Sequence, residues 1–186
     1  MGVLFRERGG GDTHHVIPAK NPPLSPHQPH AKTHTMPTTQ SPMDLALSLA
    51  EDAARNGEAP VGAVVMEGTT ILAAERNRMK ALNDPTAHAE MLAIRTALAT
   101  RGTGRLDGCD LYVTLEPCAM CAGAIAHTRL RRVYFAAEDT KAGAVENGVR
   151  LFTQPTCHHA PEVIGGLGAS RSEAMLRDFF RALRKE

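Results

Sequence analysis

Leu111-Tyr112-Val113-Thr114-Leu115-Glu116-Pro117-Cys118-Ala119-Met120-Cys121 changes period halfway along. Leu111, Val113 and Leu115 alternate with Tyr112 and Thr114, the two-residue period of a strand. Pro117 cannot donate to a ladder, and its fixed φ suits a first helical turn. The pattern therefore predicts a strand, an abrupt turn and a short helix from Cys118 to about His127. Upstream, Asp84-Pro85-Thr86 opens a helix running to about Thr100, ended by Gly102 and Gly104. Val61 to Met66 and Thr70 to Ala74 flank the turn Glu67-Gly68 as a hairpin. Ser41-Pro42-Met43-Asp44 carries a serine N-cap, a proline and an early acid. Met43, Ala46, Leu47, Ala50, Ala53 and Ala54 then form one helical stripe, which Asn56-Gly57 stops. Downstream, Arg132 to Ala136 reads as a strand, Val163-Ile164 as a further one, and about Ser170 to Arg184 as a helix. Between Lys141 and Glu162 no period is clear. Strands separated by helices of these lengths imply an α/β fold, a three-layer α/β/α sandwich with a mixed sheet.

Composition narrows the function. The chain has 186 residues, 42% hydrophobic and 22% charged, within the globular norm. Lysine plus arginine is 21 against 20 acids, a net +1, so nucleic-acid contact needs a local patch rather than bulk charge. No apolar run approaches the ~18 residues of a membrane span. Four cysteines are too few for a disulfide scaffold, and no signal peptide opens the chain; both point to the cytoplasm. Residues 1–42 hold seven of twelve prolines and five of nine histidines, the composition of a disordered tail. A start assigned upstream of Met36 or Met43 is an alternative origin for it. The structured domain is expected over 43–186.

The chemistry concentrates in His88-Ala89-Glu90 and Pro117-Cys118-Ala119-Met120-Cys121. Cys118 and Cys121, three apart on a helix, share a face and can meet one ion. In a first helical turn the free N–H groups favour thiolates, the zinc-binding form. His88, also at a helix start, makes a third ligand. Three protein ligands leave a fourth position for water, the arrangement of a catalytic zinc. Glu90, two residues from His88, is the base placed to take that water's proton. The competing readings are a redox C-x-x-C pair and a structural zinc completed by His127. His127, though, lies about 9 Å along the helix and roughly 240° around it from Cys121. Cys157-His158-His159 has adjacent side chains that diverge, so it reads as a loop without chemistry. Cys109 reads as a small buried residue.

H-x-E followed by P-C-x-x-C is the signature of the zinc nucleobase deaminases. Pro60-Val61-Gly62-Ala63-Val64, Asp84 to Glu90, Leu111 to Cys121, Ala122-Gly123-Ala124-Ile125 and Asp178-Phe179-Phe180-Arg181 resemble the bacterial tRNA-specific adenosine deaminases. These are a branch of the cytidine/deoxycytidylate deaminase superfamily, and the likeness spans about 43–186. It implies a cytidine deaminase-like fold, one Zn²⁺ per subunit on His88, Cys118 and Cys121, and Glu90 as proton shuttle. It implies a purine held by Asn77, with the Ala89 N–H and Pro117 lining its pocket. Asp139, Lys141, Phe179 and Arg181 match positions along the anticodon loop. The reaction implied is adenosine to inosine at tRNA wobble position 34, on an arginine tRNA, by a homodimer. The sequence departs from the family at Arg76, where an aromatic is frequent, and after Lys141, in Ala142-Gly143-Ala144-Val145-Glu146-Asn147-Gly148. The rivals are a deaminase of free guanine or cytosine and, in another class, a noncatalytic zinc module binding nucleic acid. The basic, aromatic C-terminal helix favours RNA, since stacking and phosphate contacts suit an extruded nucleotide.

Overall fold

The structure, a computed structural model, describes residues 40–184; the tail expected over 1–42 lies almost wholly outside them. Helix α1 (Pro42–Arg55) starts as its sequence dictates: Ser41 Oγ accepts the Asp44 N–H at 3.1 Å and bonds the Asp44 carboxylate at 2.7 Å. Its buried residues Met43, Ala46, Leu47, Ala50 and Ala53 are members of the predicted stripe. The hairpin follows as β1 (Gly62–Glu67) and β2 (Thr70–Arg76), with a register shift between Val65 and Met66. A short helix α2 (Met79–Leu82) leads to α3 (Ala89–Arg101). Strand β3 (Cys109–Leu115), helix α4 (Ala119–Thr128) and strand β4 (Arg132–Ala137) make the quoted strand–helix unit and its return. A 3₁₀ turn (Leu151–Thr153), β5 (Glu162–Gly165) and α5 (Ala169–Leu183) complete the fold.

The sheet order is β2-β1-β3-β4-β5. β1 pairs antiparallel with both neighbours, whereas β3, β4 and β5 run parallel, so the sheet is mixed as expected. Side chains alternate between two apolar layers. Ala63, Val65, Leu111, Val113, Val133 and Phe135 face α3 and α4; Val64, Met66 and Ala136 face α1. At ~1.5–3 kcal/mol per buried large side chain, these two faces supply the main drive to fold. Close approach is enforced at Gly62, where a Cβ would collide with the Ala46 carbonyl of α1. α1 can therefore lie directly on β1.

Two sequence readings shift. The second long helix starts at Ala89 rather than near Asp84, because the Asp84 carboxylate is used for a turn: it accepts the Thr86 N–H at 2.8 Å and hydroxyl at 2.7 Å. α2 was not visible as a period, being only 4 residues long. In the stretch without clear period, Glu116 accepts the N–H groups of Val145, Glu146 and Asn147, and residues 150–157 close through local turns.

Candidate active site

The first turns of α3 and α4 meet beyond the C-terminal end of β3, the central strand of the sheet. His88 is the N-cap of α3 and Cys118 the N-cap of α4, both in extended backbone, and neither side chain caps its helix. Such positions ordinarily take Ser, Thr, Asp or Asn, and forgoing the cap costs ~1 kcal/mol. Here both side chains turn toward each other instead. His88 Nδ1 stands 3.7 Å from Cys118 Sγ and 3.6 Å from Cys121 Sγ, and all three atoms lie within 4.8 Å of one another. Bonds of ~2.05 Å to nitrogen and ~2.3 Å to sulfur at a tetrahedral angle give an N···S edge of about 3.6 Å. The donor set and its spacing therefore fit zinc. His127 is absent from this group.

Protonation within the cluster is shared. Hydrogen bonds from the Cys121 thiol and then His88 hold the Cys118 thiol far down, at about 3. The same bond to Cys118, followed by burial, pushes Cys121 up. Bonding to Cys118 also raises His88, against the burial that opposes its charge. Zinc takes deprotonated sulfur and neutral imidazole, so its binding here would release the protons the three groups share.

Glu90, in the first turn of α3, is buried at 4% exposure. Burial raises its carboxyl above the usual range, and His88 partly offsets this. The carboxyl is thus suited to carry a proton. Asn77, also buried, accepts the Ala89 N–H on its Oδ1 at 2.7 Å, satisfying an orphan donor of the α3 N-terminus. Its own N–H bonds the Val61 carbonyl at 3.0 Å. The Ala89 N–H is therefore engaged by Asn77 rather than left open, and Asn77 Nδ2 has no hydrogen-bond partner among the described residues. The Pro117 carbonyl accepts the Ala144 N–H at 3.0 Å.

Asp139 and Lys141 sit in the loop after β4. Asp139 Oδ1 accepts the N–H groups of Lys141 and Ala142, each at 3.0 Å, and Lys141 is exposed. A β-bridge between Cys118 and Gly143 ties this loop to the start of α4. Phe179 and Arg181 belong to a different element: Phe179 is half-buried, its ring edge-on to Phe180 at 5.4 Å, and Arg181 is exposed. Neither contacts His88, Glu90, Cys118 or Cys121 by hydrogen bond, ion pair or ring.

One residue sequence reasoning missed is Glu116, buried between β3 and Pro117. Burial pushes its carboxyl up, but the N–H groups of Asn147, Asp139 and Glu146 outweigh burial and leave it below the usual range. The available signal was an acid set between an apolar strand and a proline. Cys157, His158 and His159 line, with His127, a cavity of about 240 Å³. There Cys157 bonds the His159 carbonyl, and His159 Nε2 bonds the Leu130 carbonyl at 2.7 Å. Cys109 is fully buried at the head of β3.

Comparisons with known proteins agree on one family. The cytidine and deoxycytidylate deaminase zinc-binding region matches residues 36–137. A tRNA-specific adenosine deaminase of Agrobacterium fabrum is 54% identical over 142 residues, 76% of this chain and 93% of that protein. A solved structure from work on A-to-I editing by tRNA:A34 deaminases at the wobble position is 53% identical. Its TM-score is 0.72, over 73% of this chain and 98% of that one. A guanine deaminase from Nitrosomonas europaea is 25% identical with a TM-score of 0.67, over 80% and 87% of the two chains.

Proposed function

We propose, for a chain that belongs to the cytidine and deoxycytidylate deaminase family, the hydrolytic deamination of adenosine to inosine in tRNA, at wobble position 34. The observation that carries tRNA over a free base is the 54% identity to an adenosine deaminase across 93% of its length. The guanine deaminase shares the fold at 25% identity. A noncatalytic zinc module would have no use for a buried carboxyl beside a three-ligand cluster.

His88 Nδ1, Cys118 Sγ and Cys121 Sγ would hold one zinc per subunit. When bound, zinc supplies a Lewis acid that makes water acidic enough to react near neutral pH. Glu90 takes a proton from the attacking water and delivers it to purine N1. It then carries the second proton to the departing amine, so one carboxyl works in both directions. Oxygen bonds to C6, the C6–N bond breaks, and water plus adenosine become inosine plus ammonia. Glu90 can do this because burial keeps its protonated form accessible. Asn77, locked at Oδ1 by Ala89, offers Nδ2 to a purine acceptor, and Ala89 and Pro117 wall the base. Asp139 and Lys141 on one side, and Phe179 and Arg181 on α5, run along the anticodon loop.

An arginine tRNA in the cytoplasm is the proposed substrate, and a homodimer the proposed form. Support for the dimer is the exposure of large apolar side chains: Met120 on α4 is 36% exposed and Val149, in the loop after β4, 57%. No helix among the described residues is long and apolar enough to cross a membrane. The test is incubation of purified protein with tRNA and with free guanine, cytosine and adenosine. Inosine at position 34 is the expected product. Unchanged tRNA with deaminated guanine or cytosine would replace this reading by the free-base one.

A further inference from the structure

Glu116 directs both carboxylate oxygens into the loop after β4. Oε1 accepts the N–H groups of Val145, Glu146 and Asn147 at 3.0, 2.9 and 2.9 Å. Oε2 accepts the Asp139 N–H at 3.0 Å and Asn147 Nδ2 at 2.7 Å. These donors are backbone and amide groups from both ends of one loop, gathered on a single side chain that is 2% exposed. At the loop's centre, a Cβ on Gly143 would collide with the Glu116 carboxyl group and the Asp139 carbonyl. The loop is therefore drawn onto the carboxylate as closely as glycine permits. Its outer side carries Lys141 into solvent, and its inner side bridges Cys118 through Gly143.

A buried carboxylate could serve merely to satisfy loop N–H groups that would otherwise each cost ~1–3 kcal/mol. The arrangement goes further, because the anchoring residue lies within the same turn that delivers the cysteines. Glu116 is two residues before Cys118, and its own N–H bonds the Ala137 carbonyl at the end of β4 at 2.8 Å. The loop is thus referenced to the ends of β3 and β4 and, through the same turn, to the cysteines of α4. We propose that Glu116 is a positioning residue that sets the loop bearing Asp139 and Lys141 at a fixed distance from the Cys118 turn, seating the RNA that flanks the reacting nucleotide. This rests on the tRNA reading above. Misplacing such contacts by about 1 Å can cost up to ~10²-fold.

Glu116→Gln keeps the side chain's shape but turns one acceptor into a donor facing N–H groups. The expected result is zinc content and helical circular dichroism like the parent, with faster hydrogen exchange at the amides of 145–147. KM for tRNA should rise about 10-fold while kcat stays within about 3-fold. Lys141→Ala should raise KM in the parent but add little in the Glu116→Gln background, since the loop is already displaced. Should Glu116→Gln fail to fold, Asn147→Ala removes only one of the five bonds and should raise KM by about 3-fold. Fully additive effects of the two substitutions would overturn the proposal. So would a fall in kcat and zinc content together at unchanged KM, the mark of a purely structural residue. If the parent protein does not deaminate tRNA at all, the functional reading falls and takes the seating role with it. Hydrogen exchange would still judge separately whether Glu116 holds the loop.

Discussion

Glu90 shows how burial and reactivity can be one property. Four per cent exposed and raised by desolvation, its carboxyl can hold or release a proton near the sulfurs without being one of the ligands. Glu90→Ala should therefore leave zinc and fold in place while removing turnover. Losing one acid–base group typically costs ~10²–10⁴-fold, and a group used for two transfers belongs at the upper end or beyond. Elemental analysis and inosine formation on the same preparation check both halves, and activity within ~10-fold of the parent would show the role to be wrong. The ligand positions obey a different rule, since His88 and Cys118 occupy N-caps where neither can cap. Ser or Asp at either position should suit its helix better and yet lose metal.

Elements divide by how their cues are written. β3 and α4 were legible because a period of two gives way at Pro117 to helix, and α1 because Ser41 and Asp44 cap it as their chemistry requires. The His88–Cys118–Cys121 cluster was legible for the same reason: ligands sit at helix starts that proline and spacing mark. The start of α3 was misplaced because Asp84 does cap, but caps a turn, and an aspartate before Pro-Thr reads alike in both settings. Four of the five bonds of the Glu116 clamp come from backbone N–H groups 23 to 31 residues away, which carry no side-chain signature to read. α5 was placed closely, but its role is a matter of orientation. Ser172 and Met175 turn inward, while Phe179 and Phe180 lie further out, edge to face. Phe179→Ala should lower kcat/KM for tRNA by roughly 1–3 kcal/mol if the ring stacks on RNA. Arg181→Ala should flatten the salt dependence of binding by about one phosphate contact. A drop in Tm with kcat/KM intact would assign Phe179 to packing instead. On the α1 side of the sheet, Tyr112 and Tyr134 stack at 4.5 Å across β3 and β4. Burial, then Tyr134, lifts the Tyr112 hydroxyl above the ordinary tyrosine value of 10. The neutral ring is favoured by folding, so this stability is complete below pH 10 and is lost as pH rises through the higher folded value. Tyr112→Phe should make the alkaline decline of Tm shallower. Absorbance of ionised tyrosine near 295 nm should show Tyr112 ionising late in the parent, a phase absent from Tyr112→Phe.

For the molecule as a whole, the cluster is also a cross-link. Its ligands lie 30 and 33 residues apart and tie the first turns of α3 and α4 together, beneath the loop that Glu116 holds. An ion that binds the folded chain and not the unfolded one stabilises by RT ln(1 + [L]/Kd), about 4 kcal/mol at a thousandfold excess over Kd. For a domain of this size that corresponds to roughly 10 °C in Tm. Chelation should therefore lower Tm by about that much and abolish inosine formation, with both restored by zinc. Cys121→Ala should show the chelated Tm from the outset and respond little to added zinc, whereas Glu90→Ala should respond like the parent. The tail makes the contrast. Helix α1 is capped at Ser41, so removing 1–39 should leave Tm within about 2 °C, the metal response unchanged and tRNA deamination within about twofold. A truncated protein that had lost its metal response would mean that the tail reaches the cluster. Equal Tm with and without chelator in the parent would mean that His88, Cys118 and Cys121 stand close for packing alone, and the deamination chemistry built on them would fall with it.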